Sequence, residues 1–260
     1  MTKTHCTLGA DDIHRYTQLV DSADPSGRVH PLALVRAAAP LWEPTVTEIR
    51  SAHRQRPVIH LAQSALFARA VRPTEQLIGR CDVHAVQSLG DDAVYTLRVS
   101  FTEPTGARVA QFDVALLIDG QPDEAAELPP WRAHRAAAGT DTIGLRRRHF
   151  DLGSARDYAR VSRDANPIHR HAKAAQDAGF PGPIAHGLHV LAAGVSVARE
   201  LDVCPYQQLA EIRTRFGHPV VLPTDVSYRV QRTADARTFR IAADTAAGPA
   251  LKRCWFRLRE

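Results

Sequence analysis

Between Pro57 and Asp119 the apolar positions gather into four runs, Val58 to Val71, Leu77 to Gln87, Ala93 to Glu103 and Arg108 to Ile118, each rich in Val, Leu and Phe. Gly90-Asp91-Asp92 and Pro104-Thr105-Gly106 supply turns between them, so the pattern predicts an antiparallel meander. Ahead of it, Pro31 to Trp42 has helical composition, opening on a proline and ending before Pro44. The segment 121–142 holds Pro122, Pro129, Pro130, an Ala-rich run and Gly139 without sustained periodicity, and reads as a linker. Beyond it the order recurs. A short strand near Leu145 to Phe150 precedes helical segments Ala155 to Arg163 and Ala185 to Leu201, then strands near Glu211 to Phe216, Asp225 to Gln231, Thr238 to Ala243 and Leu251 to Leu258. The two halves share one plan, a helix followed by antiparallel strands, although no motif of one aligns with the other.

The helix Ala185 to Leu201 has almost no polar face: Leu188, Val190, Leu191, Val195, Val197, Ala198 and Leu201 surround it, with Ala192, Ala193 and Gly194 adding close-packing surface. A helix apolar nearly all round must be enclosed. A sheet that curls about it does so, which is the hot-dog arrangement.

Length and composition narrow the rest. A chain of 260 residues with 44% hydrophobic content can bury one large core or two of roughly 100 to 130 residues. No stretch nears the roughly 20 apolar residues of a membrane helix, and Met1 to Leu8 lacks the apolar run of a secretory signal, so a soluble cytoplasmic protein is expected. Cys6, Cys81, Cys204 and Cys254 lie far apart and form neither a disulfide framework nor a metal spacing. The 33 basic residues outnumber the 28 acidic ones, and all but Lys3, Lys173 and Lys252 are arginine. This bias reads either as codon preference or as a surface for a phosphate-bearing or acidic partner. The charge is spread along the chain without a nucleic-acid motif, so nucleic acid is not expected as a partner.

Candidate chemistry lies in two stretches. Tyr158 to His169 places Asp164, Asn166 and His169 within six residues, and Pro167 pushes Asn166 out of helical geometry, so a bent loop can face Asp164 and His169 into one cavity. Such a trio can also be an ordinary turn. Gly179-Phe-Pro-Gly-Pro-Ile-Ala-His-Gly-Leu188 then leads into the buried helix. The first N–H groups of a helix have no internal partner, and Gly187 allows close approach to that backbone, so a thioester oxyanion can be held there. Pro-Gly-Pro can equally be a stop-and-start signal alone.

Together, Asp164-Ala-Asn-Pro-Ile-His169 and Pro183-Ile-Ala-His-Gly-Leu188 resemble the MaoC-like, or hydratase 2, family of (R)-specific enoyl thioester hydratases and 3-hydroxyacyl thioester dehydratases. Arg215 to Pro223 looks like the family's later strand. The resemblance implies an α+β double hot-dog, each unit a curved antiparallel sheet around a central helix: a non-catalytic unit over 1–120, the linker, and a catalytic unit over 143–260. It implies that Asp164 and His169 are the acid/base pair, that Asn166 orients them, and that the Gly187 N–H joins the oxyanion hole. Ile184, Ala185, His186, Leu188 and Phe216 would then line the substrate path. In the first half, His60 in Pro57 to Ser64, followed by Arg69-Ala-Val-Arg-Pro73, resembles the non-catalytic unit of two-domain members, where it forms part of the pocket; it can also be an ordinary strand histidine.

The implied substrate is an acyl-CoA or an acyl carrier protein thioester, with no metal or redox cofactor, and the fused pair can stand alone or form a homodimer. Arg69, Arg72, Arg147 and Arg148 are candidates to meet its phosphates. Two departures stand out: Ser162-Arg163-Asp164 where the family motif commonly reads Ser-Gly-Asp, and Leu188 for the more usual methionine. An arginine beside Asp164 could pair with it and lower its basicity. The alternatives are therefore a silent acyl-thioester binding protein and a hot-dog thioesterase.

Overall fold

The computed structural model describes residues 4–21, 29–54, 56–120 and 141–260. The first half runs β1 (Thr4–Thr7), α1 (Ala10–Val20), α2 (Val35–Ala52), β2 (Val58–Phe67), β3 (Gln76–Leu89), β4 (Asp92–Thr102) and β5 (Arg108–Asp119). The second runs β6 (Thr142–Phe150), α3 (Leu152–Ser162), α4 (Ala172–Asp177), α5 (Gly187–Glu200), β7 (Leu209–Phe216), β8 (Thr224–Arg232), β9 (Thr238–Thr245) and β10 (Gly248–Leu258). The meander forms with its predicted turns, Gly90 at φ 64° and Gly106 at φ 92° supplying the left-handed positions. Most of the expected linker lies outside the described residues, and its last residue, Thr142, already belongs to β6.

All ten strands join one antiparallel sheet in the order β1-β3-β4-β5-β2-β7-β10-β9-β8-β6. Read outward from its middle, each half has the same strand sequence. The halves meet where β2 pairs with β7, from Ala62 opposite Arg215 to Leu66 opposite Glu211, about a pseudo-dyad at Ser64 and Arg213. This is the double hot-dog expected. Every residue of α5 from Leu188 to Ala198 is buried, its carbonyl at Val190 taken by the Tyr228 hydroxyl at 2.9 Å. A side chain at Gly194 would press Ile241 and Tyr228 at 3.2 and 3.3 Å, so the glycine lets helix and sheet close up.

Two expectations need correction. The first-half helix does not end before Pro44 but runs from Val35 to Ala52 through Pro40 and Pro44. The two prolines lie one turn apart, both exposed, so the hydrogen bonds they remove fall on the solvent side, while Ala37, Ala38, Ala39 and Ile49 pack inward. Helix α1 was not expected, yet Ile13, Tyr16, Thr17 and Val20 form a buried stripe at helical spacing. Among the described residues no helix is long and apolar enough to cross a membrane.

Helices α1 and α3 pair across the two halves. Both have eleven residues, and Tyr16 and Tyr158, each the seventh, meet hydroxyl to hydroxyl at 3.3 Å. Just past α1, the fully buried carboxylate of Asp21 accepts hydrogen bonds from the Arg199 guanidinium at 2.5 and 2.8 Å and another from the Tyr206 hydroxyl. A carboxylate out of water is tolerated only when so completely paired. Replacing Asp21 by Ala would strand Arg199, and we expect denaturant unfolding to show a loss of about 3 kcal/mol. A loss below about 1 kcal/mol would mean that Arg199 finds water without it.

Candidate active site

Helix α3 opens on a capping box, Asp151 accepting from Ser154 N–H while the Ser154 hydroxyl accepts from Asp151 N–H. It ends at Arg163, held at φ 64°, ψ 16°. That left-handed geometry explains why a glycine suits the position: a side chain there costs roughly 1 kcal/mol. The loop beyond is built from short local bonds. Ser162 Oγ accepts from Asp164 N–H at 3.2 Å, an Asp164 carboxylate oxygen accepts from Asn166 N–H at 3.2 Å, and Asn166 Oδ1 accepts from Ile168 N–H at 3.4 Å. Asn166 thus caps the turn Pro167–His169, and its ordered contact is with backbone.

His169 is buried, and its Nδ1 lies 2.8 Å from the Ile184 carbonyl. A carbonyl has no proton to give, so Nδ1–H is the donor and Nε2 of the neutral ring keeps its lone pair. Ile184 is fixed in turn by an isolated bridge to Val221, and Ala185 N–H donates to Val220 at 2.8 Å. His186 stands at the N-cap position of α5 with its side chain turned elsewhere: its Nε2 lies 3.2 Å from the Asp164 carbonyl, and its ring stacks on His169 at 3.7 Å between centroids. Beneath it lie Tyr158 and the stacked His189. The Gly187 N–H is the first of α5 and has no partner within the helix. A side chain at Gly187 would strike the Phe216 ring at 2.8 Å, so the glycine here makes room for β7 itself. Phe216 meets the His60 ring edge-on at 4.7 Å, and His60 stands at a bulge in β2.

Burial holds these imidazoles neutral. Desolvation is the largest cause at each: it pulls His60 down to about 4 and His189 to about 3, and it lowers His169 and, further still, His186. The charge of Asp164 opposes the shift at His60 and His169, which places a first-half side chain in the electrostatic reach of both loop residues. Asp164, His169 and His186 each bring a donor atom within 4.8 Å of the others. An ion must lie in the plane of each imidazole that binds it, and rings stacked at 28° do not share such a point, so the trio is poorly arranged for a metal. Asp164 and His169 are instead close enough to share one oxygen, since two hydrogen bonds of about 2.8 Å meeting at one atom span roughly 4.6 Å.

The structure brings Asp164, His169, His186, Gly187, Phe216 and His60 together. Ile184, Ala185 and Leu188 are buried beside them. Arg163 is exposed, and among the described residues no ion pair joins it to Asp164. Of the four arginine candidates, Arg69 is held by Glu75 and Glu103, Arg148 by Glu200, and Arg147 lies 3.9 Å from Asp225; only Arg72 has no ion pair among the described residues.

The fold also supplies a register between the halves that the sequence reading did not find. Continuing the α1/α3 alignment without gaps, Asp24-Pro25 stands where Asn166-Pro167 does, while Ser22 and Gly27 take the places of Asp164 and His169; these positions lie outside the described residues. His30 caps the turn before α2 at φ −62°, ψ 127°, matching His186 at −62° and 132°. His30-Pro31-Leu32 is therefore the counterpart of His186-Gly187-Leu188. The shared His-x-Leu ahead of a helix was the available signal.

Because unfolding frees these buried histidines to take up protons that the folded chain refuses, stability is complete above about pH 6.5 and falls as the pH drops towards 3, by at most about 1.4 kcal/mol per pH unit for each. Unfolding midpoints measured from pH 7 to 4 are expected to decline, with a shallower slope in His189→Phe. A parallel pair of profiles would overturn that assignment. Arg163→Gly should raise stability by about 1 kcal/mol in the same assay, through release of the left-handed strain.

No curated protein sequence matches the chain. Residues 136–250 match the model of the MaoC like domain. Among solved structures, a MaoC-like dehydratase from Phytophthora capsici is similar at 19% identity over 100% of this chain and 95% of that one, with a TM-score of 0.80. The peroxisomal multifunctional enzyme type 2 of Drosophila melanogaster is similar at 16% identity and TM-score 0.77; 99% of this chain is covered, but it spans only 48% of that longer protein. A Mycobacterium tuberculosis protein described as a double hot-dog aligns at 13% identity over 98% and 93% of the two chains, TM-score 0.63. Residues 136–250 are therefore similar to the MaoC like domain, and the whole has the double hot-dog fold.

Proposed function

We propose that this protein is a hydro-lyase on acyl thioesters, interconverting (R)-3-hydroxyacyl and trans-2-enoyl forms carried on coenzyme A or an acyl carrier protein. The observation that carries the reading is that Asp164 and His169 bring polar atoms within 4.8 Å of each other, close enough to share one oxygen, with His169 Nε2 left free by the Ile184 carbonyl. In dehydration that oxygen is the 3-hydroxyl. One member of the pair removes the alpha proton, the electrons move onto the thioester oxygen, and the other protonates the hydroxyl, which leaves as water while the C2–C3 double bond forms. The Gly187 N–H at the positive end of α5 holds the enolate oxygen, an interaction typically worth about 2.7 to 4 kcal/mol in the barrier. Hydration is the reverse, with water in the bridging place.

His186 supports the pair in this reading without touching substrate: it is 2% exposed, it stacks on His169 and its Nε2 donates to the Asp164 carbonyl. Phe216 and His60 form the wall opposite, so both halves build the one site.

Crotonyl-CoA tests the proposal, since loss of the enoyl absorbance without free thiol is hydration, free thiol is thioester hydrolysis, and neither is silent binding. Asp164→Asn and His169→Gln should each lower turnover by ~10² to 10⁴-fold, with thioester binding within a few fold of the parent. The double variant should be scarcely worse than either, because the two act as one unit. Near-normal turnover by folded Asp164→Asn protein would sink the assignment.

A further inference from the structure

The pseudo-dyad gives the first half a counterpart of the catalytic site, and that counterpart is hollow. A cavity of about 300 Å³ is lined by Pro31, Phe67, Val71, Tyr206 and Leu209, with Arg69 and Arg72 beside them. About the central pair Ser64 and Arg213, Phe67 takes the place of Phe216 and Leu209 that of His60, while Pro31 takes the place of Gly187. The cavity therefore lies not beside Gly187, Phe216 and His60 but at the mirror position of these three residues. We propose that it is a second binding site for a phosphopantetheine thioester, one that holds the ligand without converting it. The ligand class rests on the function proposed above.

The chemistry of the lining separates binding from reaction. Proline has no N–H, so Pro31 offers no donor for an enolate oxygen, and Leu209 brings no imidazole where the other half has His60. The apolar lining remains, and its volume is at the lower end of the ~300 to 1,000 Å³ of small-ligand sites. That suits a short acyl-pantetheine arm, with the phosphates left outside. Cations are placed to meet them. Arg72 is exposed, and Arg259 reaches the carbonyls of Phe67 and Gln207, two cavity residues, with its Nε buried and unbonded. Among the described residues neither guanidinium has an ion pair, whereas Arg69 is already neutralised by Glu75 and Glu103.

The test is the stoichiometry of butyryl-CoA, a saturated thioester that can be neither hydrated nor dehydrated, measured by calorimetric titration of the full chain. Two equivalents per chain are expected. Val71→Trp, which fills the cavity, should remove one, and Arg72→Glu, an exposed change that leaves packing alone, should weaken that one at least tenfold. Both should leave crotonyl-CoA turnover within about twofold of the parent. A single equivalent that survives both substitutions overturns the second site. If crotonyl-CoA is not hydrated while two equivalents still bind, the second site stands and the proposed reaction falls; if hydration proceeds with one equivalent insensitive to both changes, the reaction stands and the second site falls.

Discussion

The pairing of β2 with β7 is the constraint on which the site depends. Five residue pairs, Ala62 to Leu66 against Arg215 to Glu211, fuse two five-stranded halves into one sheet. Cross-strand pairs are the units of sheet stability, and these close what would otherwise be an exposed edge on each half. They also set the distance from His60 to Phe216, and so from the first half to the loop of Asp164 and His169. Without that ladder the loop of Asp164 and His169 would face water on the side where it faces His60.

Near-symmetry of the frame throws the asymmetry of the chemistry into relief. Tyr16 matches Tyr158 and His30 matches His186, each pair alike in local geometry. His30 Nδ1 accepts from Leu32 N–H, and its Nε2 lies 3.2 Å from the Ala192 carbonyl of α5, so it binds the halves together. The residues kept in both halves are those that pack; those that differ would move protons or hold an oxyanion. Buried rings and the turn at a helix start are needed for folding whether or not a reaction occurs.

Inside the second half the histidines are arranged by desolvation more than by charge. His169, His186 and His189 are all buried and stacked with one another or with Tyr158, and protonating one penalises its neighbours. A neutral stack supports a free lone pair on His169, which a base requires. The same burial makes the stack a cost to stability in acid.

Much of this was legible in the chain. The runs rich in Val, Leu and Phe between turn residues marked the strands of the first half, the all-round apolar surface of Ala185 to Leu201 required an enclosing sheet, and Asp164-Ala-Asn-Pro-Ile-His169 carries its loop in its own local hydrogen bonds. The helix through Pro40 and Pro44 was not legible, because a proline's cost depends on which side of the helix loses its bond, and only packing decides which side faces water. The correspondence of His30-Pro31 with His186-Gly187 had only the short His-x-Leu to mark it, too brief to align the halves without the matching backbone angles. Local bonding is written in neighbouring residues. The meeting of His60, Phe216 and Asp164, and the hollow at Pro31, come from side chains far apart in sequence that only the joined sheet brings within reach.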